Sequence, residues 1–228
     1  MQIVFQDPYR SLNPRRTVGA SIIEGPVNFG MRADEARERA RELMRLVGLD
    51  PEALSRYPHQ FSGGQRQRIA IARALAMEPQ LLIADEAVSA LDVSVQAQVL
   101  KLLDDIRARF ALAVLFITHD LRVAAQVCDR VAVMQQGSIV EQGPTQALFL
   151  APRHPYTRAL LDSVPRLGAS TEWLTAIEGQ PPDLAALPPG CAFAPRCAHA
   201  MARCRAEEPP ETTVGAGHAS RCWLDAPA

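Results

Sequence analysis

The spacing of apolar and polar positions predicts a series of alternating elements. Ala36, Ala40, Leu43 and Val47 recur along one helical face, which predicts a helix over 34–47 closed by Gly48. A second helix is expected over 62–77. The stripe Val95, Val99, Leu102, Leu103 and Ile106 marks a third. Between the helices stand short apolar runs. Leu81-Leu-Ile-Ala84 ends in two acids, and 113–117 ends at Thr118-His119-Asp120; both read as strands buried on both faces. Ile3-Val-Phe reads as the end of a strand entering a polar turn at Gln6-Asp7-Pro8, and 130–134 with 138–141 flank Gln136-Gly137 as a hairpin. Apolar strands alternating with helices imply an α/β fold, a parallel sheet with helices on its faces. Ligands of such sheets sit at the carboxyl ends of the strands.

Composition divides the chain. Seven prolines fall in the first 150 residues and eleven in the last 78, and four of the five cysteines lie after residue 190. A boundary is therefore placed near residue 150, giving domains of 1–150 and 151–228. Basic and acidic residues nearly balance, 24 against 25, which argues against a general nucleic-acid binder. No apolar run reaches the ~18–20 residues that span a bilayer, and the first residues lack the basic start and long apolar stretch of a signal peptide. Of the 24 basic residues 23 are arginine; the one lysine is Lys101.

Candidate chemistry gathers at the predicted element ends. Ser62 with Gln65 three residues on is a capping box, so a helix starts there. Gly63 and Gly64 leave its first turn bare, although glycine costs about 1 kcal/mol relative to alanine in a helix. Free N–H groups and the positive end of the helix dipole would seat a phosphate; a capped helix with tolerated glycines is the plainer account. Asp85 and Glu86 end a strand that otherwise reads as buried. One acid of such a pair can hold Mg²⁺ while the other polarises a water, or the strand simply meets solvent. His119 and Gln6 end neighbouring strands and can face a phosphate or its metal, or serve structure alone.

Taken together these motifs resemble the nucleotide-binding subunits of ABC transporters. Phe61-Ser-Gly-Gly-Gln65 with its helix resembles the signature motif. Leu81 to Glu86 resembles the Walker B strand with its catalytic glutamate, and Ser89-Ala-Leu-Asp92 resembles the D-loop. Thr118-His119-Asp120 is similar to the switch histidine, and Phe5-Gln6-Asp7-Pro8 to the Q-loop. The wording Gln6-Asp-Pro-Tyr-Arg-Ser-Leu-Asn-Pro14, Tyr57-Pro-His-Gln-Phe61 and His154-Pro-Tyr-Thr157 is similar to the oligopeptide/dipeptide branch, whose wording glutathione, nickel and microcin importers share.

The resemblance implies an ABC-ATPase sheet with a helical subdomain at about 12–75. It implies ATP held at Ser62, Gly63, Gly64, Gln65 and Asp92, Mg²⁺ organised by Asp85 and by Gln6 through water, and catalysis by Glu86, His119 and Gln6. It also implies a second ATPase subunit, two transmembrane permease subunits, an extracytoplasmic substrate-binding protein, and a peripheral place on the cytoplasmic face of the inner membrane. Two features depart from the pattern. Ala87 stands where the family usually has proline. No G-x-x-x-x-G-K-[ST] loop occurs, and Lys101 lies on an amphipathic stretch where it cannot serve. The expectation is an ATPase subunit for peptide import, read here in a truncated form inactive alone. Its sheet would lack one strand, so the isolated chain is expected to be poorly stable. The alternatives are a non-hydrolysing subunit that lends its signature motif to a complete partner and, more remotely, a soluble ABC protein of DNA repair or translation.

The spacing Cys191-x5-Cys197-x6-Cys204-x17-Cys222 lacks the close pair common in zinc sites. Four thiolates suit an iron–sulfur cluster, although not at a common ferredoxin spacing; free thiols are the alternative. Some members of the peptide-importer branch that resemble this segment carry a [4Fe–4S] cluster.

Overall fold

A computed structural model describes residues 1–164, 177–180 and 182–226. The described chain forms two compact units, Met1–His119 and Asp120–Ala228.

The first unit is built on three parallel strands, β1 (Gln2–Val4), β2 (Leu81–Asp85) and β3 (Ala113–Ile117), in the order β1-β2-β3. Between β1 and β2 the chain makes α1 (Pro8–Ser11), α2 (Val18–Asn28) and α3 (Ala33–Leu46), then two 3-10 turns and α4 (Gly63–Leu75). Helix α5 (Val93–Phe110) connects β2 to β3. Helix α3 forms because Ala36, Ala40, Leu43 and Met44 share a buried face while Arg and Glu fill the other. Helix α4 packs against both β1 and α5.

Burial in the sheet is one-sided, which corrects the expectation of strands buried on both faces. Val4, Leu82 and Ala84 are buried on one face. On the other, Ile83 lies beside Leu115 and Asp85 beside Ile117, and Leu115 and Ile117 remain 51% and 44% exposed. β3 is an edge strand of the described sheet, and that face is left about half exposed.

In the second unit β4 (Arg130–Gln135) and β5 (Ser138–Pro144) form the expected hairpin. Gln136 and Gly137 both have positive φ, the conformation of a tight turn that matches strand twist. β6 (Thr212–Gly215) and β7 (His218–Ser220) complete an antiparallel sheet of order β4-β5-β7-β6. Helices α6 (Leu121–Val127), α7 (Thr145–Leu150), α8 (Pro155–Asp162) and α9 (Ala202–Ala206) accompany it. Val133, Val140 and Leu148 form a small core with Val131, Phe149, Tyr156 and Leu160. Residue 150, where the composition changes, lies inside this unit: β7, from the cysteine-rich tail, pairs with β5, Glu141 opposite Ser220. Residues 165–176, 181 and 227–228 of the 151–228 segment lie outside the described residues. Among the described residues no helix is long and apolar enough to cross a membrane.

Candidate functional site

Glu86 is the first residue beyond β2, and its backbone is left-handed, φ 48. A non-glycine residue there costs about 1–3 kcal/mol, and such strain clusters at functional sites. The conformation is held from both sides. Glu86 N–H donates to Ile117 O at 3.0 Å, and the N–H and hydroxyl of Ser89 donate to Glu86 O at 3.0 and 2.9 Å. The carboxylate thereby meets His119, with Oε1 3.1 Å from Nδ1. Asp85 is half-buried at the end of β2. Gln6 is exposed just beyond β1, whose Val4 pairs with Ala84 of β2. Four expected residues thus gather at the carboxyl ends of three adjacent strands. A groove of about 860 Å³ lined by Glu78, Pro79, Gln80 and Phe110 lies before the starts of β2 and β3, away from these groups.

The capping box at α4 is formed. Gln65 N–H donates to Ser62 Oγ at 3.3 Å, and Ser62 N–H donates to Gln65 Oε1 at 3.0 Å. The glycines also answer a packing demand. A Cβ on Gly64 would lie 2.3 Å from Cγ1 of Val95, and one on Gly63 would touch Leu91 at 4.0 Å. The tip of α4 therefore abuts the Ser89–Asp92 turn, whose Asp92 caps α5 by accepting from Val95 N–H at 3.0 Å. Helix α4 also grips the segment after β1, a link that sequence reading missed. The Arg66 guanidinium lies 3.7 Å over the Tyr9 ring, Gln67 donates to Phe5 O at 3.4 Å, and Arg73 donates to Ser11 O.

In the second unit Cys191, Cys197, Cys204 and Cys222 line one small pocket together with His154, Phe193 and Trp223. Backbone amides face all four sulfurs. His199 N–H donates to Cys197 Sγ and Met201 N–H to Cys204 Sγ, each at 3.4 Å. Amides of Phe193 and Ala194 face Cys191, and that of Leu224 faces Cys222. Burial nonetheless pushes the Cys191 and Cys197 thiols up, and Cys222 to about 11. Among the described residues no group of three or more His, Cys, Asp or Glu is placed to hold a metal ion. Gly190 fixes the pocket's geometry, since its Cβ would lie 2.3 Å from Cys204 O. Gly190→Ala is expected to cost about 1–3 kcal/mol by overpacking backbone that has no soft side chain to yield. Urea unfolding of the variant measures it, and an unchanged midpoint would contradict this packing.

Beneath the pocket lies a buried network that sequence reading also missed. Glu141 Oε1 accepts from Arg153 N–H at 2.7 Å and lies 2.8 Å from His218 Nε2, while Oε2 accepts from His154 N–H at 2.9 Å. Burial lowers the His154 pKa from about 6.5 to about 4, so the ring is neutral at pH 7. The unfolded chain then binds the extra proton between those values. Its stabilising contribution is complete above pH 6.5 and is lost as pH falls toward 4, by up to about 3 kcal/mol. Urea midpoints measured across that window should fall in the parent chain and flatten in His154→Asn.

Parallel strands ending in Asp85-Glu86 and His119, with a capped glycine tip beside them, define a fold of the ABC ATP-binding type. The family model "ABC transporter" matches residues 1–89, and "Oligopeptide/dipeptide transporter, C-terminal region" matches residues 140–204. The chain is 53% identical over 230 residues to the "Probable peptide ABC transporter ATP-binding protein y4tS" of Sinorhizobium fredii, covering 100% of this chain and 65% of the relative. It is 48% identical over 227 residues to the "Dipeptide transport ATP-binding protein DppD" of Bacillus subtilis, covering 98% and 68%. Among solved structures cbiO1 of Clostridium perfringens, part of the ABC transporter complex cbiONQ, matches with TM-score 0.60 and 33% identity over 66% of this chain and 59% of that one. The chain belongs to the ATP-binding proteins of peptide and dipeptide ABC transporters. It spans about two thirds of the length of these relatives.

Proposed function

We propose that this chain serves the ATP-driven import of peptides, as part of an ATPase pair at the cytoplasmic face of the inner membrane. Two permease subunits and an extracytoplasmic binding protein would complete the importer. The observation that carries the reading is the Glu86–His119 contact of 3.1 Å at the strand ends. Glu86 would polarise the attacking water, and His119 would hold its carboxylate in place and face the terminal phosphate. Asp85 and Gln6 end neighbouring strands with oxygen donors, which suit Mg²⁺. That ion, bound with ATP, neutralises developing charge on the phosphates. Ser62, Gly63, Gly64 and Gln65 would clamp a nucleotide presented by the second subunit, with Asp92 and its turn behind them.

The second reading is a non-hydrolysing role, in which the chain only completes a partner's site. The 228 residues hold no G-x-x-x-x-G-K-[ST] loop, and Lys101 lies within α5. Equilibrium ATP binding to the chain alone, followed by phosphate release after mixing with a complete subunit, separates the two. No binding alone but hydrolysis after mixing favours the second; no hydrolysis in either sample counts against both.

For the tail we propose a [4Fe–4S] cluster on Cys191, Cys197, Cys204 and Cys222. A single tetrahedral ion with bonds of about 2.3 Å would draw its sulfurs closer together than a four-iron cube does. The support is the donor set: four sulfurs around one pocket, each faced by a backbone amide of the kind that tunes a cluster's potential. The cluster would supply a redox-active centre. Anaerobic reconstitution with iron and sulfide should give a broad visible absorption, and a colourless protein rejects the assignment.

A further inference from the structure

Resting on the cluster reading above, we propose that His154 is a hydrogen-bond donor to that cluster: it gives its Nε2 proton to a sulfur and sets the reduction potential without ligating iron. The tautomer follows from geometry. Tyr156 N–H donates to His154 Nδ1 at 3.0 Å, so Nδ1 carries no proton and Nε2 does. His154 is 1% exposed, and its Nε2 is buried with no hydrogen-bond partner. An unmet donor of this kind costs about 1–3 kcal/mol, so its persistence calls for an acceptor. The ring lines the same pocket as the four cysteines; none of their sulfurs accepts from Nε2, so the acceptor would be a sulfide of the cluster itself.

The ring cannot turn away. His154 is the N-cap of α8, with Pro155 at the first helical position, and its own N–H is held by Glu141. Phe193, two residues after Cys191, stands 6.1 Å from it at 50°. Ligation of iron by Nε2 would need the proton moved to Nδ1, where Tyr156 already donates. Backbone amides serve all four sulfurs; His154 adds a side-chain donor, and donation to sulfur stabilises the reduced cluster and raises its potential.

The test uses the full chain reconstituted anaerobically with iron and sulfide. Iron content and midpoint potential are measured in the parent, His154→Asn and His154→Leu. Asparagine keeps an acceptor for the Tyr156 amide, so α8 stays capped. Both variants should retain full iron and titrate at a more negative potential. An unchanged potential with full iron overturns the proposal. Loss of iron from a folded His154→Asn protein makes His154 a ligand and overturns it too. A parent that takes up no iron removes the cluster reading, and with it this one. Should neither variant fold, pulsed EPR of the reduced parent cluster decides, with ¹⁵N-histidine label in a His199→Ala background. A weak nitrogen coupling supports the donor role; none, or one of ligand strength, overturns it.

Discussion

Replacing Ser62 by glutamate is expected to cut ATP hydrolysis, measured after mixing with a complete partner subunit, by at least ~10–100-fold. The hydroxyl accepts from Gln65 N–H at the start of α4, where first-turn amides have no intrahelical acceptor. A carboxylate there would take those amides for itself and repel a triphosphate. Loss of one charge-assisted contact is worth about 1.5–3 kcal/mol, which is the lower bound of that effect. Ser62→Ala supplies the contrast: it removes the cap alone, costing about 1 kcal/mol of helix stability, and should reduce the rate far less. Undiminished turnover in Ser62→Glu would mean that this tip never meets nucleotide.

Glu141→Ala is the substitution with the largest expected effect on stability, a loss of roughly 3–5 kcal/mol in the second unit. Three groups depend on that carboxylate: the amides of Arg153 and His154 and the ring of His218. His154 and His218 would remain buried without it, and the Arg153 amide part-buried, around a carboxylate residue that is 1% exposed. Glu78→Ala is the matching control. Its ion pair with Arg39 is exposed on the Glu78 side, and such pairs contribute at most about 1 kcal/mol. Urea unfolding followed by circular dichroism compares the two. If Glu141→Ala unfolds at the control's midpoint, the network does not hold this unit together.

What was legible in the chain was local. The capping box at Ser62, the Gln136-Gly137 turn and the amphipathic α3 each depend on residues within a few positions, and each formed as its sequence predicts. The order of strand ends brought Glu86 and His119 together because a strand–helix–strand unit fixes that juxtaposition. The exposed face of β3 was not legible, since an apolar run does not say which neighbours will cover it. Glu141 reads as an ordinary polar position in a hairpin. It becomes a buried hub only because residues 153–154 and 218 arrive from far along the chain. His154 carried a family wording but no sign of its orphaned nitrogen.

The gripping of residues 5–11 by α4 links two expectations that the sequence treated separately. Through Arg66, Gln67 and Arg73 the residues that flank Gln6 and the helix that starts at Ser62 share contacts. In the proposed ATPase pair, a change at Gln6 would therefore reach the helix assigned to the second subunit's nucleotide. Tyr9 is the most exposed member of this grip, at 65%.

Lys101 offers a practical return. It is the sole lysine of the chain and stands exposed on α5, the helix whose first turn touches the glycine tip. With the α-amine of Met1 blocked, an amine-directed fluorophore will therefore mark a single position. Paired with a dye on the proposed second subunit, it would convert the approach of two polypeptides into an optical distance signal without any engineered cysteine.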